Sequence, residues 1–212
     1  MRRDRGLAVM LRKRVGDQRN RKPDDATDDR LIGEIACGDV QAFERLYRGY
    51  FKRLIGFALR MTDRTDLAEE IASDTLMAVW RGAKSFESRS RPSTWIFGIA
   101  YRITTKALDR SSRHQDVSDN EITEDLAGSV SGIRQLENLF IKDQLARAMR
   151  GLSAEHRASI ELTYYYGYSC SEIAEIMDCP IGTVKTRMMH ARAKLKQLLT
   201  ANPTTPQEGR HG

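Results

Sequence analysis

The stretch that decides the fold runs from Tyr168 to Leu199, YSCSEIAEIMDCPIGTVKTRMMHARAKLKQLL. Ser169 is a hydroxyl residue placed to cap a short helix whose buried face carries Ile173, Ala174 and Met177. Asp178-Cys179-Pro180 supplies a turn, because proline is tolerated in a helix only in its first turn. A second helix follows from Ile181 or Gly182, burying Val184, Met188, Ala191 and Leu195, and Ala174 is small where the two helices would cross closely. Two short helices joined by a tight turn predict a helix-turn-helix, the arrangement that sets a recognition helix into the major groove of DNA.

Charge placement agrees. From Cys179 to Leu199 stand Lys185, Arg187, Arg192, Lys194 and Lys196 with no acidic residue, whereas the preceding helix carries Glu172, Glu175 and Asp178. A one-signed second helix is what phosphate attraction selects. Lys185 and Arg187, near its start, are placed for base edges. Thr183 and Thr186 suit bases or phosphates, and Arg192, Lys194 and Lys196, further along, suit the DNA backbone. Response-regulator output domains share this layout, so the rest of the chain must choose the kind of DNA-binding protein.

Upstream, FIKDQLARAMRGL (140–152) and AEHRASIELTYYYG (154–167) continue the helical patterning from Leu139. Residues 111–137 differ: Asp116, Asp119, Glu121, Glu124 and Asp125 crowd a stretch with Ser and Gly and few large apolar residues, predicting an extended acidic linker. Before it, helical spacing runs from Thr27 or Asp28, either a plausible cap for a helix over 29–37, to Arg110. Leu46, Tyr47, Tyr50, Leu54, Phe57, Ala58 and Met61 mark one apolar face, and Thr62-Asp63 breaks that helix. Asp66 can cap the next, DLAEEIASDTLMAVWR, which turns Leu67, Ile71, Leu76, Val79 and Trp80 inward and Glu69, Glu70, Ser73 and Asp74 mostly outward. SFESRSRP (85–92) reads as a loop, and Ser93 or Thr94 starts a helix through Trp95, Ile99, Ile103 and Leu108. No strand-like alternation is present. The expectation is an all-α chain of two small helical domains, 28–110 and 138–200, joined by a flexible acidic linker (111–137) and flanked by disordered tails at 1–27 and 201–212.

Composition narrows the function classes. The chain has 212 residues, 40% hydrophobic and 30% charged, with 35 Lys and Arg against 29 Asp and Glu for a net charge of +6. No apolar run reaches the roughly 18 residues a membrane span needs. Cys37, Cys170 and Cys179 form neither a disulfide framework nor a zinc motif, and His114, His156, His190 and His211 are dispersed. No P-loop, GxGxxG, HExxH or GxSxG signature appears, so no catalytic residue, metal or cofactor is predicted. The N-terminal patch Leu7–Leu11 is too short for a secretory core and runs into Arg12, Lys13 and Arg14, so export is not expected, and Met1 and Met10 both stand as starts.

Three stretches together resemble one family. Asp66–Arg81, Ser85–Arg110 (SFESRSRPSTWIFGIAYRITTKALDR) and the helix-turn-helix are similar, in order and spacing, to a bacterial alternative sigma factor of the extracytoplasmic-function group. The most specific parts are the AEE–DT–W order and STWIFGIA. The resemblance implies a non-catalytic promoter-recognition subunit in the cytoplasm. Its partners would be core RNA polymerase (the clamp helices of the largest subunit and the flap of the second-largest), promoter DNA and an anti-sigma factor that could hold it at the inner membrane, with no small-molecule substrate. Carried over, Asp66, Glu69, Glu70 and Asp74 would meet the clamp helices. Ser85, Phe86, Arg89, Arg91, Trp95, Tyr101, Arg102, Lys106 and Arg110 would serve the minus-ten element, the loop forming a pocket for an extruded base. Thr183, Lys185, Thr186, Arg187, His190, Arg192 and Lys194 would read the minus-thirty-five element.

The residues themselves leave Trp95 and Tyr101 open, each either packed into the core or stacked on a base. Arg102 stands where many members have asparagine, His190 where many have arginine, and Ser73 where many have glutamine, so no consensus promoter carries over. The acidic linker reads either as a nucleic-acid mimic threaded through polymerase or as a plain tether. The competing function is a helix-turn-helix regulator with an N-terminal helical regulatory domain.

Overall fold

The computed structural model describes residues 25–114 and 144–200, and every regular element among them is helical. The linker core (115–137), the terminal tails and residues 138–143 lie outside the described residues.

Helix α1 (Asp25–Ala36) begins earlier than its sequence suggests, so Asp28 is not a cap but a buried residue of the first turn. Its carboxylate accepts the hydroxyl of Tyr50 at 2.5 Å, a bond that pins α1 to α2. Gly38 supplies the positive φ (92°) that turns the chain, and Asp39 caps α2 (Val40–Thr62) by accepting from the amides of Gln41 and Ala42. Along α2, Leu46, Tyr50, Leu54, Phe57, Ala58 and Met61 are buried, the three- and four-residue spacing read from the sequence.

Asp63, in the left-handed region at φ 56°, ends α2. Helix α3 (Thr65–Gly82) is then capped by the backbone of Arg64 with no side-chain cap bond, so Asp66 lies inside the first turn instead of capping it. Its charge there still favours the positive helix terminus. A single 3-10 turn (Ala83–Ser85) leads into the loop before α4 (Pro92–His114). Pro92 takes the first helical position, which needs no N–H, and the helix runs four residues past Arg110.

The second domain comprises α5 (144–150), α6 (Ala154–Ile160), α7 (Cys170–Ile176) and α8 (Ile181–Thr200). After α6 the helix widens into a π-helical turn (Glu161–Tyr165), a feature the sequence did not signal. Ser169 caps α7 through a reciprocal capping box with Glu172. Met177 ends that helix, Asp178 takes φ 49°, and α8 starts at Ile181. Val184, Met188, Ala191 and Leu195 are buried as expected.

The two domains pack on each other. Helix α7 lies along α4, and the π turn delivers Tyr166 against α2 and α4. Tyr166 sits 4.8 Å from the Phe97 ring and 6.0 Å from Phe57, and Tyr168 sits 5.4 Å from Phe97. Each such pair contributes about 0.5–1.5 kcal/mol beyond its buried area. One continuous apolar core therefore serves both domains.

Candidate nucleic-acid interface

Three surfaces carry the residues singled out from the sequence. On α3, Ala68, Ile71, Ala72, Thr75, Leu76 and Val79 occupy the core side, which leaves Asp66, Glu69, Glu70 and Asp74 exposed together on the opposite face. Asp66 pairs with Arg64 at 2.6 Å, and that hydrogen bond holds its carboxyl below the usual carboxylate range. Met77, 45% exposed, falls on the same stripe three residues after Asp74. It adds one apolar side chain to the end of the acidic face, and a helical wheel of the sequence would have placed it.

The second surface is α4 and the loop before it. Arg102, Lys106 and Arg110 are exposed on one strip of α4, at four-residue steps of about 6 Å. Trp95 is half-buried and packs on Phe86 with ring centroids 4.8 Å apart, so these two aromatics support each other at the loop base. Tyr101 is only 8% exposed. Burial, the largest influence, raises its phenol above the ordinary range, and Glu155 of the second domain adds to the rise.

The loop's polar residues are mostly engaged. Ser85 donates to the Gly82 carbonyl at 2.8 Å, and Ser88, at φ 50°, donates to Asp29. Arg89 pairs with Glu87 at 2.6 Å, an exposed contact worth about 0–1 kcal/mol. Arg91 joins three segments, pairing with Asp25 of α1 and with Glu172 of α7 at 2.7 Å. Nothing local in the sequence announces that junction, since Glu172 is 81 residues away.

The third surface is α8. Lys185, Thr186, His190 and Lys194 are exposed, while Thr183, Arg187 and Arg192 are half-buried. Arg187 turns toward the helix-turn-helix loop, its Nη1 3.5 Å from Cys179 Sγ, and Arg192 Nε donates to the Met188 carbonyl at 3.2 Å. His190 lies edge-on to His156 with ring centroids 6.2 Å apart. Met189, 54% exposed, stands in the middle of this cationic stripe as an outward apolar residue that charge patterning does not signal. Among the described residues no group of His, Cys, Asp or Glu is arranged to hold a metal.

Chemically, the arrangement offers an exposed acidic face, a cationic strip beside a half-buried aromatic pair, and a basic second helix on a capped helix-turn-helix. Two family models match the chain, Sigma-70 region 2 over residues 46–114 and Sigma-70 region 4 over residues 142–195. The ECF RNA polymerase sigma-E factor of Haemophilus influenzae is 27% identical over 178 residues, covering 80% of this chain and 94% of its own length. The protein of that name from Escherichia coli K12 is 29% identical over 174 residues, covering 78% and 91%. Among solved structures, the Bartonella quintana sigma factor RpoE, in complex with the anti-sigma factor NepR, matches with a TM-score of 0.60 at 29% identity, covering 77% of this chain and 99% of that one. CnrH, in complex with the cytosolic domain of CnrY, shares the fold with a TM-score of 0.62 at 23% identity, covering 83% and 99%.

Proposed function

Because this chain belongs to the sigma-70 family, in its extracytoplasmic-function group, we propose that α3, α4 and α8 divide the work of initiation among polymerase, the opened minus-ten strand and the minus-thirty-five duplex. The chain is an alternative sigma factor, which binds core RNA polymerase and directs promoter-specific transcription initiation. The region 2 match covers the segment that a regulator would use as its sensing domain, so the reading as an independent helix-turn-helix regulator is not supported.

The observation that carries the division of labour is the sorting of charge by helix. The exposed face of α3 is acidic, whereas the outward faces of α4 and α8 are basic. Glu69, Glu70 and Asp74, with Met77 beside them, dock on the polymerase clamp helices, and Asp66 joins them while keeping Arg64 in place. Arg102, Lys106 and Arg110 hold the phosphates of a melted strand, and the loop from Ser85 to Arg91 borders a pocket for an extruded base, with Phe86 and Trp95 at its floor. Lys185 and His190 face base edges, Thr186 serves base or phosphate, and Lys194 follows the backbone. Thr183, Arg187 and Arg192 brace the helix and meet DNA with their remaining donors.

An anti-sigma protein governs when this happens. The support is the Bartonella quintana relative, solved with its anti-sigma factor at 29% identity. No helix among the described residues is long and apolar enough to cross a membrane. We place the factor in the cytoplasm with polymerase, and any attachment to the inner membrane comes through that partner. The test is transcription in vitro with purified core polymerase on a fragment library of the host genome. Start sites that appear only with the protein added support the reading, and sequence-specific duplex binding without any transcripts overturns it.

A further inference from the structure

We propose that His156, on α6, is a positioning residue for promoter recognition, holding the His190 imidazole edge-on so that it meets a guanine of the minus-thirty-five element. This role rests on the reading of α8 as the minus-thirty-five helix.

His190 is the donor best placed at its point on α8. It is exposed, and Thr186 and Lys194, four residues to either side, share its face of the helix. Arg187 is less free to reach outward, being half-buried with its Nη1 3.5 Å from Cys179 Sγ in the turn. Thr186 donates its hydroxyl to the Gly182 carbonyl at 3.0 Å. An imidazole N–H is therefore presented between Thr186 and Lys194. In the major groove guanine offers two acceptors, N7 and O6, and no donor, which suits a ring that approaches with its N–H.

A histidine standing alone on a helix surface is a poor reader, because its ring turns freely and that freedom is lost on binding. Here a second ring limits it. His156 and His190 lie with ring centroids 6.2 Å apart and planes at 86°, an edge-on arrangement that attracts through the ring quadrupoles.

His156 is itself held in place. It is half-buried, and its backbone amide donates to Ser153 Oγ at 3.3 Å, the bond that caps α6. Ala158, Ser159 and Ile160 are buried at the end of α6, and Thr163 of the π turn donates to Met188 Sδ of α8 at 3.4 Å. Val184, Met188 and Ala191 anchor the inner side of α8. The two rings therefore project from helices that are fixed against each other, and His156 supports the outward stripe of α8 from beside it.

The test is selection of promoter fragments, randomised across the minus-thirty-five element, by holoenzyme reconstituted with the full chain, read by sequencing the transcripts. His190→Ala should lose a guanine preference at one base pair by about tenfold, the size of one base-edge contact. His156→Ala should weaken that same preference about threefold, the size of one edge-on ring pair, and leave the other positions unchanged. The double variant should be no worse than His190→Ala, because a residue that acts through His190 then has nothing to position. His156→Phe, which keeps an aromatic ring, should restore the preference. Circular dichroism melting separates aim from folding: a lowered melting temperature in His156→Ala with the preference intact would overturn the proposal. So would losses spread over all positions, additive losses in the double variant, or a base other than guanine at the position that His190→Ala affects. A wild type that directs no transcripts removes the sigma reading itself, whereas an unaltered preference in His156→Ala beside an active wild type removes only the positioning role.

Discussion

Lys194→Ala offers the sharpest test of how α8 uses its charge. Lys194 is exposed and makes no ion pair among the described residues, and alanine is the strongest helix former, so the substitution is expected to leave stability within about 0.5 kcal/mol. If its ammonium neutralises one phosphate, log K for holoenzyme binding to promoter falls with salt about 0.9 less steeply in the variant. One such contact is worth about 8-fold in affinity at 0.1 M salt and only about 2-fold at 0.5 M, so the deficit should shrink as salt rises. The assay is equilibrium binding of reconstituted holoenzyme to one promoter fragment across that salt range, repeated on a fragment with a scrambled minus-thirty-five element. The loss should be the same on both fragments. Lys185→Ala is the contrast: a base-edge contact costs about 1–3 kcal/mol on the correct element and little on the scrambled one. An unchanged salt slope for Lys194→Ala would refute the assignment of this lysine to the DNA backbone.

Replacing Glu69, Glu70 and Asp74 together by alanine should weaken association with core polymerase while the melting temperature stays nearly constant. Equal affinity in a pull-down titration would reject α3 as the docking face. Ser169→Ala removes the capping box of α7 and should cost about 1 kcal/mol, read as a lower denaturation midpoint with an unchanged m-value. Burial holds the phenols of Tyr50, Tyr166 and Tyr168 above the ordinary range, Tyr168 up to about 12. In the unfolded chain these groups ionise near pH 10 while the folded chain keeps the protons, so their contribution is intact below about pH 10 and is lost as pH rises. Urea titrations between pH 9 and 11 should show stability falling by up to about 1.4 kcal/mol per pH unit for each such tyrosine, and Tyr168→Phe should fall less steeply; parallel curves for the two proteins would contradict this.

Local chemistry made much of this molecule legible from its residues. The apolar period of α2 and α3, the Ser169 cap, the turn at Asp178-Cys179-Pro180 and the buried face of α8 all depend on neighbours within one or two helical turns. Their causes are therefore written side by side in the chain. The family resemblance came from the same source, as ordered local motifs. The errors were local too, but small. Asp28 and Asp66 have the chemistry of caps, and only the length of each helix, set by what it packs against, showed that they lie inside the first turn.

What tertiary structure decided is the state of side chains whose partners are far away in sequence. Tyr101 is open to either stacking or burial until α7 is laid on α4, and Arg91 reads as a free cation until Asp25 and Glu172 arrive. Arg187 reads, with Lys185, as a candidate for base edges, and only the folded turn shows its guanidinium also reaching Cys179. The pairing of Arg60 with Glu161 spans 101 residues and needs a π turn that no spacing rule announces. Helix formation is governed by near neighbours and so can be read along the chain. Burial and charge pairing between domains depend on which surfaces meet, and that is determined only when two separately patterned halves fold against each other.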